Sequence, residues 1–465
     1  MPVAKDTAGV KGVLGCNESG QDVAHRPTMK GRPMHSLTSS RADAPFVASA
    51  PSRADDAAPA PRPNSGSHLA PVDGTSLERF VRGPLSEAVL QVLQHDDQAG
   101  MTTAASPTRE MLLALTDEAT AAAPSITYDD DIQAALFLLY ASHYGSLPWL
   151  DPEHEWVPSL LEVRVRLERD FERELRAAIP MQLLPAPGPG EVSRALFELA
   201  SEDSGPSLSK FIARKATKDQ VVEALKQRSI YTLREADPHS WAIPRLTGRP
   251  KAALVEIQSD EYGGGRPGRV HQQLYAAALR QADLSDTYGA YAHEVPAITL
   301  ASFNMMSMFG INRRLIGAIV GHLAAFEMTS SIPCKLTADG LRRLGFGDDV
   351  IEYFDEHVEA DAVHEQIAAR DLAGTLAEDR PDLVPDIMFG AAACLTVDGW
   401  MAQHMLEAWQ RGESSLRPRE ITRGAGQKTG LPSRGHGGSH TNQSRLLDRS
   451  IQPIRSSRRS QETTQ

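Results

Sequence analysis

The sequence predicts an all-α protein, and three observations carry that expectation. Between about Ser76 and Arg411, apolar residues recur every three or four positions in segment after segment, which is the spacing of one face of an α-helix. The interruptions are clusters of Pro, Gly, Asp and Ser, and the alternation of Val, Ile and Thr with polar residues that marks a half-buried strand is missing. No uninterrupted apolar stretch approaches twenty residues, so no membrane span is expected.

Taken in order, residues 1–76 are crowded with Pro, Ala, Ser, Asp and Arg, as in RADAPFVASAPSRADDAAPAPRPNSGSH, and show neither helical nor strand period. Such a segment buries too little apolar surface to offset the entropy of ordering and is expected to be disordered. Residues 77–189 form an N-terminal helical annex, with SLERFVRGPLSEAVLQVLQ, TREMLLALTDEA, DDDIQAALFLLYASHYG and SLLEVRVRLERDFERELRAAI as its helices. The annex is read as a cover for the core or as the face of a homodimer. His143 and Tyr144 within it are read as core or boundary residues. A PAPGPG linker leads into residues 190–411, where ten or so further helical patterns, from VSRALFELASE to VPDIMFGAAACLTVDGWMAQHMLEAW, suffice for a bundle with a covered interior. Residues 412–465 hold ten basic residues against four acidic and are expected to be a disordered basic tail.

Composition excludes some classes of function. A formal net charge of -12 disfavours a nucleic-acid partner, because phosphate backbones are met by net basic faces. The three cysteines, Cys16, Cys334 and Cys394, are odd in number and widely spaced, and the first twenty residues lack an apolar signal core. A reducing cytoplasm is the expected compartment, with no membrane partner.

The residues that carry chemistry are histidines and carboxylates. In His357-Val-Glu-Ala-Asp361-Ala-Val-His364 the positions i, i+4 and i+7 fall within about 60° of one another on a helix, so two imidazoles and a carboxylate share one stripe. Ile351, Phe354, Val358 and Ile367 flank that stripe and turn it toward the interior, where a carboxylate between imidazoles wants a metal or another charge. The bland reading is a solvated polar helix face. In RRLIGAIVGHLAAFEMTSS, Glu327 sits in an apolar helix and needs a cation, for which Arg313 and Arg314 are the plain alternatives to a metal. The stretch LVEIQSDEYGGGRPGRVHQQLYAAAL joins two helical pieces through a Gly-rich turn that lets Glu261 and His271 converge, with Glu256 as the rival carboxylate. The glycines are no phosphate loop, since neither Gly-Lys-Ser/Thr nor a preceding strand is present. Glu235, in SIYTLREADPHSW, reads better as a surface partner for Arg234 or a nearby Lys than as an additional oxygen ligand.

The ordered set Glu261, His271, Glu327, His357, Asp361, His364, together with the DEYG core before His271, resembles the haem-oxygenase-like di-iron oxidases and oxygenases, the bacterial iron-containing redox enzymes. The resemblance implies a haem-oxygenase-like helical bundle. It implies two irons, one held by Glu261, His271 and His364 and the other by His357, Asp361 and Glu327, with a carboxylate bridging and manganese acceptable in one position. It implies dioxygen activation and a small organic substrate of amine, amino acid or fatty acid type, with an electron donor as a further partner. Tyr262, Tyr275, Phe303, Met305, Met306 and Phe326 are weighed as pocket lining against plain core packing. Three alternatives stand beside this one: a haem-degrading enzyme of the related fold, a thiaminase-like enzyme with Cys394 as nucleophile, and a non-catalytic iron-binding or interaction protein. In its apolar run Cys394 reads better as a buried core thiol.

Overall fold

A computed structural model describes residues 78–94, 107–179, 183–201 and 207–418, all within the unit Leu69–Gln465. The disorder expected for residues 1–76 and for the tail beyond residue 418 lies outside the described residues. Among the described residues there is no strand, and one isolated bridge pairs Gln94 with Leu150. The all-α fold expected from the sequence is the fold found.

Local chemistry sets the helix boundaries. In the N-terminal part, α1 (Pro84–Leu93), α2 (Arg109–Ala122), α3 (Asp130–Tyr144) and α4 (Pro158–Ala178) follow one another. The Thr108 hydroxyl accepts from Met111 N and the Asp129 carboxylate from Ile132 N, satisfying first-turn donors of α2 and α3. Gly145, at φ 58°, ends α3 in the left-handed conformation. Next come α5 (Pro189–Ser201), α6 (Leu208–Arg214) and α7 (Lys218–Thr232), the last opened by a Thr217/Gln220 capping box. Then α8 (Gly248–Glu261) and α9 (His271–Gln281) flank the glycine turn, and α10 (Ala297–Ile311), α11 (Ile316–Met328), α12 (Ser331–Leu344) and α13 (Asp348–Gln366) follow. A π-helical stretch, Ile367–Gly374, continues α13, and α14 (Val384–Gln410) closes the described chain.

One apolar core runs from Leu85 through Phe137, Phe171, Leu254, Met305 and Leu323 to Val397, so helices on both sides of residue 189 share it. A second cluster, including Leu225, Tyr275, Leu341 and Tyr353, fills the space between α7, α9, α12 and α13. Helices α11 and α14 meet backbone to backbone. A Cβ added at Gly321 would lie 1.8 Å from the Ile387 carbonyl oxygen, and one at Gly390 would lie 1.9 Å from that of Ala318. By length and composition the helical run Pro381–Gln410 could cross a membrane, yet 61% of its apolar window is buried inside the fold. The boundary at residue 412 falls slightly early: Ser415 is buried and, with its backbone N–H, donates to Glu223, while Arg417 pairs with Asp130 at 3.1 Å.

Candidate metal centre

Four helices and two turns bring the donors together. Glu261 is the last residue of α8 and His271 the first of α9; the nine residues between them turn back through Gly263, Gly264 and Gly265, all at positive φ. At Gly263 a side chain is excluded by space as well as by φ, since a Cβ would stand 2.7 Å from the backbone of Arg269 and Val270. Glu327 comes from the last turn of α11, and His357 and His364 from α13. Glu235 comes from the turn that follows α7.

The six residues are buried, each 6% exposed or less. Donor atoms of Glu235, Glu261, His271 and His357 lie within 4.8 Å of one another, and so do those of Glu261, Glu327 and His364. Glu261 belongs to both groups. His271 Nδ1 stands 3.0 Å from Glu261 Oε2, His357 Nε2 3.5 Å from Glu235 Oε2, and His364 Nδ1 3.3 Å from Glu327 Oε2. The rings of His271 and His357 are 4.4 Å apart. His364 Nε2 also reaches Asp260 Oδ2 at 3.1 Å. A narrow cavity of ≈ 20 Å³, room for about one ordered water, adjoins the cluster and is lined by Glu235, His239, Gln258, Phe326 and Ser330 among others.

The donor set fits a metal. Glu261 Oε2 and His271 Nδ1 are fully buried and, although adjacent, meet no hydrogen-bond geometry, as expected of atoms aimed at a shared third point. Oxygen and nitrogen donors without thiolate suit iron or manganese. In the metal-free protein, protons take the place of metal charge. Burial pushes the His271 imidazole down, but Glu261, with Glu235 behind it, outweighs burial and holds it up to about 9. His364 is likewise carried up to about 9, against burial, by Glu327 and Asp260. Burial pushes Glu235 up, but His357 and His271 and a tyrosine hydroxyl bring it down to about 2. Glu327 is raised, by burial first and by the neighbouring Glu261 next.

Five of the six donors read from the sequence converge here: Glu261, His271, Glu327, His357 and His364. The side chain of Asp361 lies outside the described residues. The division of donors differs from the expected one, because His357 groups with Glu261 and His271 while His364 groups with Glu327. Glu235 is corrected from a surface residue to a buried member of the cluster, and Arg234 pairs with Asp237 instead. The signal for it was Tyr231-x3-Glu235, which puts a hydroxyl one helical turn before the carboxylate. Glu256 is exposed on α8 and outside the cluster. Glu327 pairs with His364 rather than an arginine, and Arg314 is occupied by Glu172.

Among the six residues weighed as pocket lining, only Phe326 lines the cavity. Phe303, Met305 and Met306 are core, Tyr275 donates to the Leu225 carbonyl, and Tyr262 shares hydrogen bonds with Ser240 and Asp237. His143 is held by Glu155 at 3.0 Å and Tyr144 by Ser307 at 3.1 Å. Cys394 is buried in the main core, where desolvation pushes its thiol up.

A search of curated proteins finds no match. Residues 222–399 match the family model of the iron-containing redox enzymes, whose fold is haem-oxygenase-like, and all six converging donors fall inside that match.

Proposed function

We propose that the chain is a non-haem di-iron enzyme that activates dioxygen to oxidise a small organic substrate of amine, amino acid or fatty acid type. The observation that carries this reading is the sharing of Glu261 between two buried donor groups, the arrangement that a carboxylate bridging two adjacent ions requires. Charge supports it, since two ferrous ions would bring four positive charges to the buried carboxylates of Glu235, Glu261 and Glu327. Ferrous iron, when bound, supplies open coordination positions and the electrons for dioxygen activation.

The chain's own residues would bind, orient and exclude water. His357 donates from Nδ1 to the Tyr353 carbonyl at 2.7 Å, which fixes the tautomer and leaves Nε2 toward the cluster. Leu323 and Phe326 place apolar surface beside the carboxylates, so charge at the centre is little screened by bulk water. His239, pushed down to about 3 by burial, lines the same cavity as a neutral imidazole and leans on His322 at 3.3 Å. The haem-degrading alternative needs one axial histidine and leaves the clustered carboxylates and the other histidines without a role. A thiol nucleophile is equally disfavoured, because Cys394 is packed in the core.

The test is anaerobic loading with ferrous iron, metal quantification, and rapid mixing with dioxygen, for wild type and His357→Ala. About two irons per chain and oxygen consumption, both lost in the variant, support the proposal. No stoichiometric iron in the wild type overturns it, and iron held without oxygen consumption favours a storage role.

A further inference from the structure

We propose that Tyr231 and Tyr353 are positioning residues that hold Glu235 to the metal centre through one carboxylate oxygen; this rests on the di-iron reading above. Both hydroxyls donate to the same atom. Tyr231 reaches Glu235 Oε1 at 2.5 Å and Tyr353 reaches it at 2.8 Å, with a longer contact of 3.0 Å from Tyr353 to Oε2. Oε1 is thereby occupied, while Oε2 is the oxygen that faces His357 Nε2 at 3.5 Å. Two hydroxyl donors on Oε1 draw charge from the carboxylate and occupy that oxygen, so Glu235 would offer a metal chiefly its Oε2.

The local sequence builds this arrangement twice over. Tyr231 stands one helical turn before Glu235, and Tyr353 one turn before His357. Tyr353 therefore serves two donors: its hydroxyl holds Glu235 and its backbone carbonyl holds His357 Nδ1. The rings are themselves fixed, Tyr353 by edge contact with Tyr275 at 4.8 Å and Tyr231 by Phe326 at 5.0 Å. Arg228, buried over the Phe354 ring at 5.6 Å, adds a positive charge to this pocket. Neither tyrosine donates to any donor but Glu235, so the effect of each hydroxyl passes through that carboxylate.

The experiment is anaerobic titration with ferrous iron, read by near-infrared circular dichroism of the ligand-field bands and by metal quantification. It compares wild type, Tyr231→Phe, Tyr353→Phe and the double variant, each checked for helix content. Removing the hydroxyls is expected to weaken binding of one iron by roughly 10- to 100-fold, because the carboxylate loses its fixed orientation, and to shift that iron's bands, because the freed Oε1 can then also reach the metal. The backbone hold on His357 survives the substitution, so metal stoichiometry at saturation stays that of wild type. If the double variant does not fold, the half-buried Tyr231→Phe alone carries the test. Wild type that loads iron, with variants matching it in affinity and bands, overturns the positioning role and leaves the di-iron reading intact. Wild type that takes up no iron overturns both.

Discussion

At the scale of single residues, burial separates the donors from their sequence rivals. In the sequence Glu256, one helical turn before Asp260, is the rival for the first carboxylate, and Glu235 is the weaker candidate for an additional oxygen ligand. The fold reverses this, since Glu256 points outward while Glu235 is enclosed by Tyr231, Tyr353 and His357. Glu235→Ala is therefore expected to remove one iron per chain and Glu256→Ala none, as metal analysis of both variants will show. The pH dependence of the metal-free protein also belongs here. The folded-state values of His271 and His364, held up to about 9, exceed the unfolded value of about 6.5. Their contribution to stability is full below about pH 6.5 and is lost as pH rises through about 9. His239, depressed to about 3, contributes above about pH 6.5 and loses that contribution as pH falls. Melting of the metal-free protein should thus be highest near pH 6.5 and fall on either side, at most about 1.4 kcal/mol per group per pH unit. A melting temperature that rises from pH 6.5 to 9 contradicts this assignment. Loading ferrous iron near pH 7.5 should also release protons, on the order of two per chain, into weak buffer.

At the scale of elements, the helices and the His357-x3-Asp361-x2-His364 stripe were legible because period and capping are local properties. The convergence of Glu261 and His271 was legible too, because three consecutive glycines permit the reversal between α8 and α9. Which histidine joins which carboxylate was not, since it depends on how α11 and α13 lie against α8 and α9, a long-range matter that no spacing encodes. Gly263→Ala should strain the turn, at φ 70° and with a Cβ 2.7 Å from backbone, and so weaken iron binding more than it weakens the fold. The comparison of iron affinity with melting temperature checks this. Gly321→Ala acts differently: its Cβ would press on the Ile387 carbonyl and force α11 from α14. A loss of about 1–3 kcal/mol or more in unfolding free energy is expected, measured by denaturant titration.

At the scale of the molecule, the sequence divides the folded part at residue 189, while the described core runs from Leu85 to Val397 without regard to that linker. The composition of PAPGPG marks a break in helix, and a break in helix need not be a break in packing. Phe137 stacks on Tyr288 and meets Phe303 at a tilt, and Asn304 donates to Gln133 at 2.8 Å, so the N-terminal helices complete the interior of the C-terminal ones. Deleting residues 1–189 should expose this surface and give a chain that aggregates or melts without a cooperative transition. The donors themselves are buried among the later helices, each 6% exposed or less. The most direct test of the metal centre is a crystal structure of the ferrous-loaded protein with anomalous scattering measured at the iron edge. Two peaks flanking Glu261, one beside Glu235, His271 and His357 and the other beside Glu327 and His364, are the predicted result; no peak at Glu261, or iron only at the surface, contradicts the account.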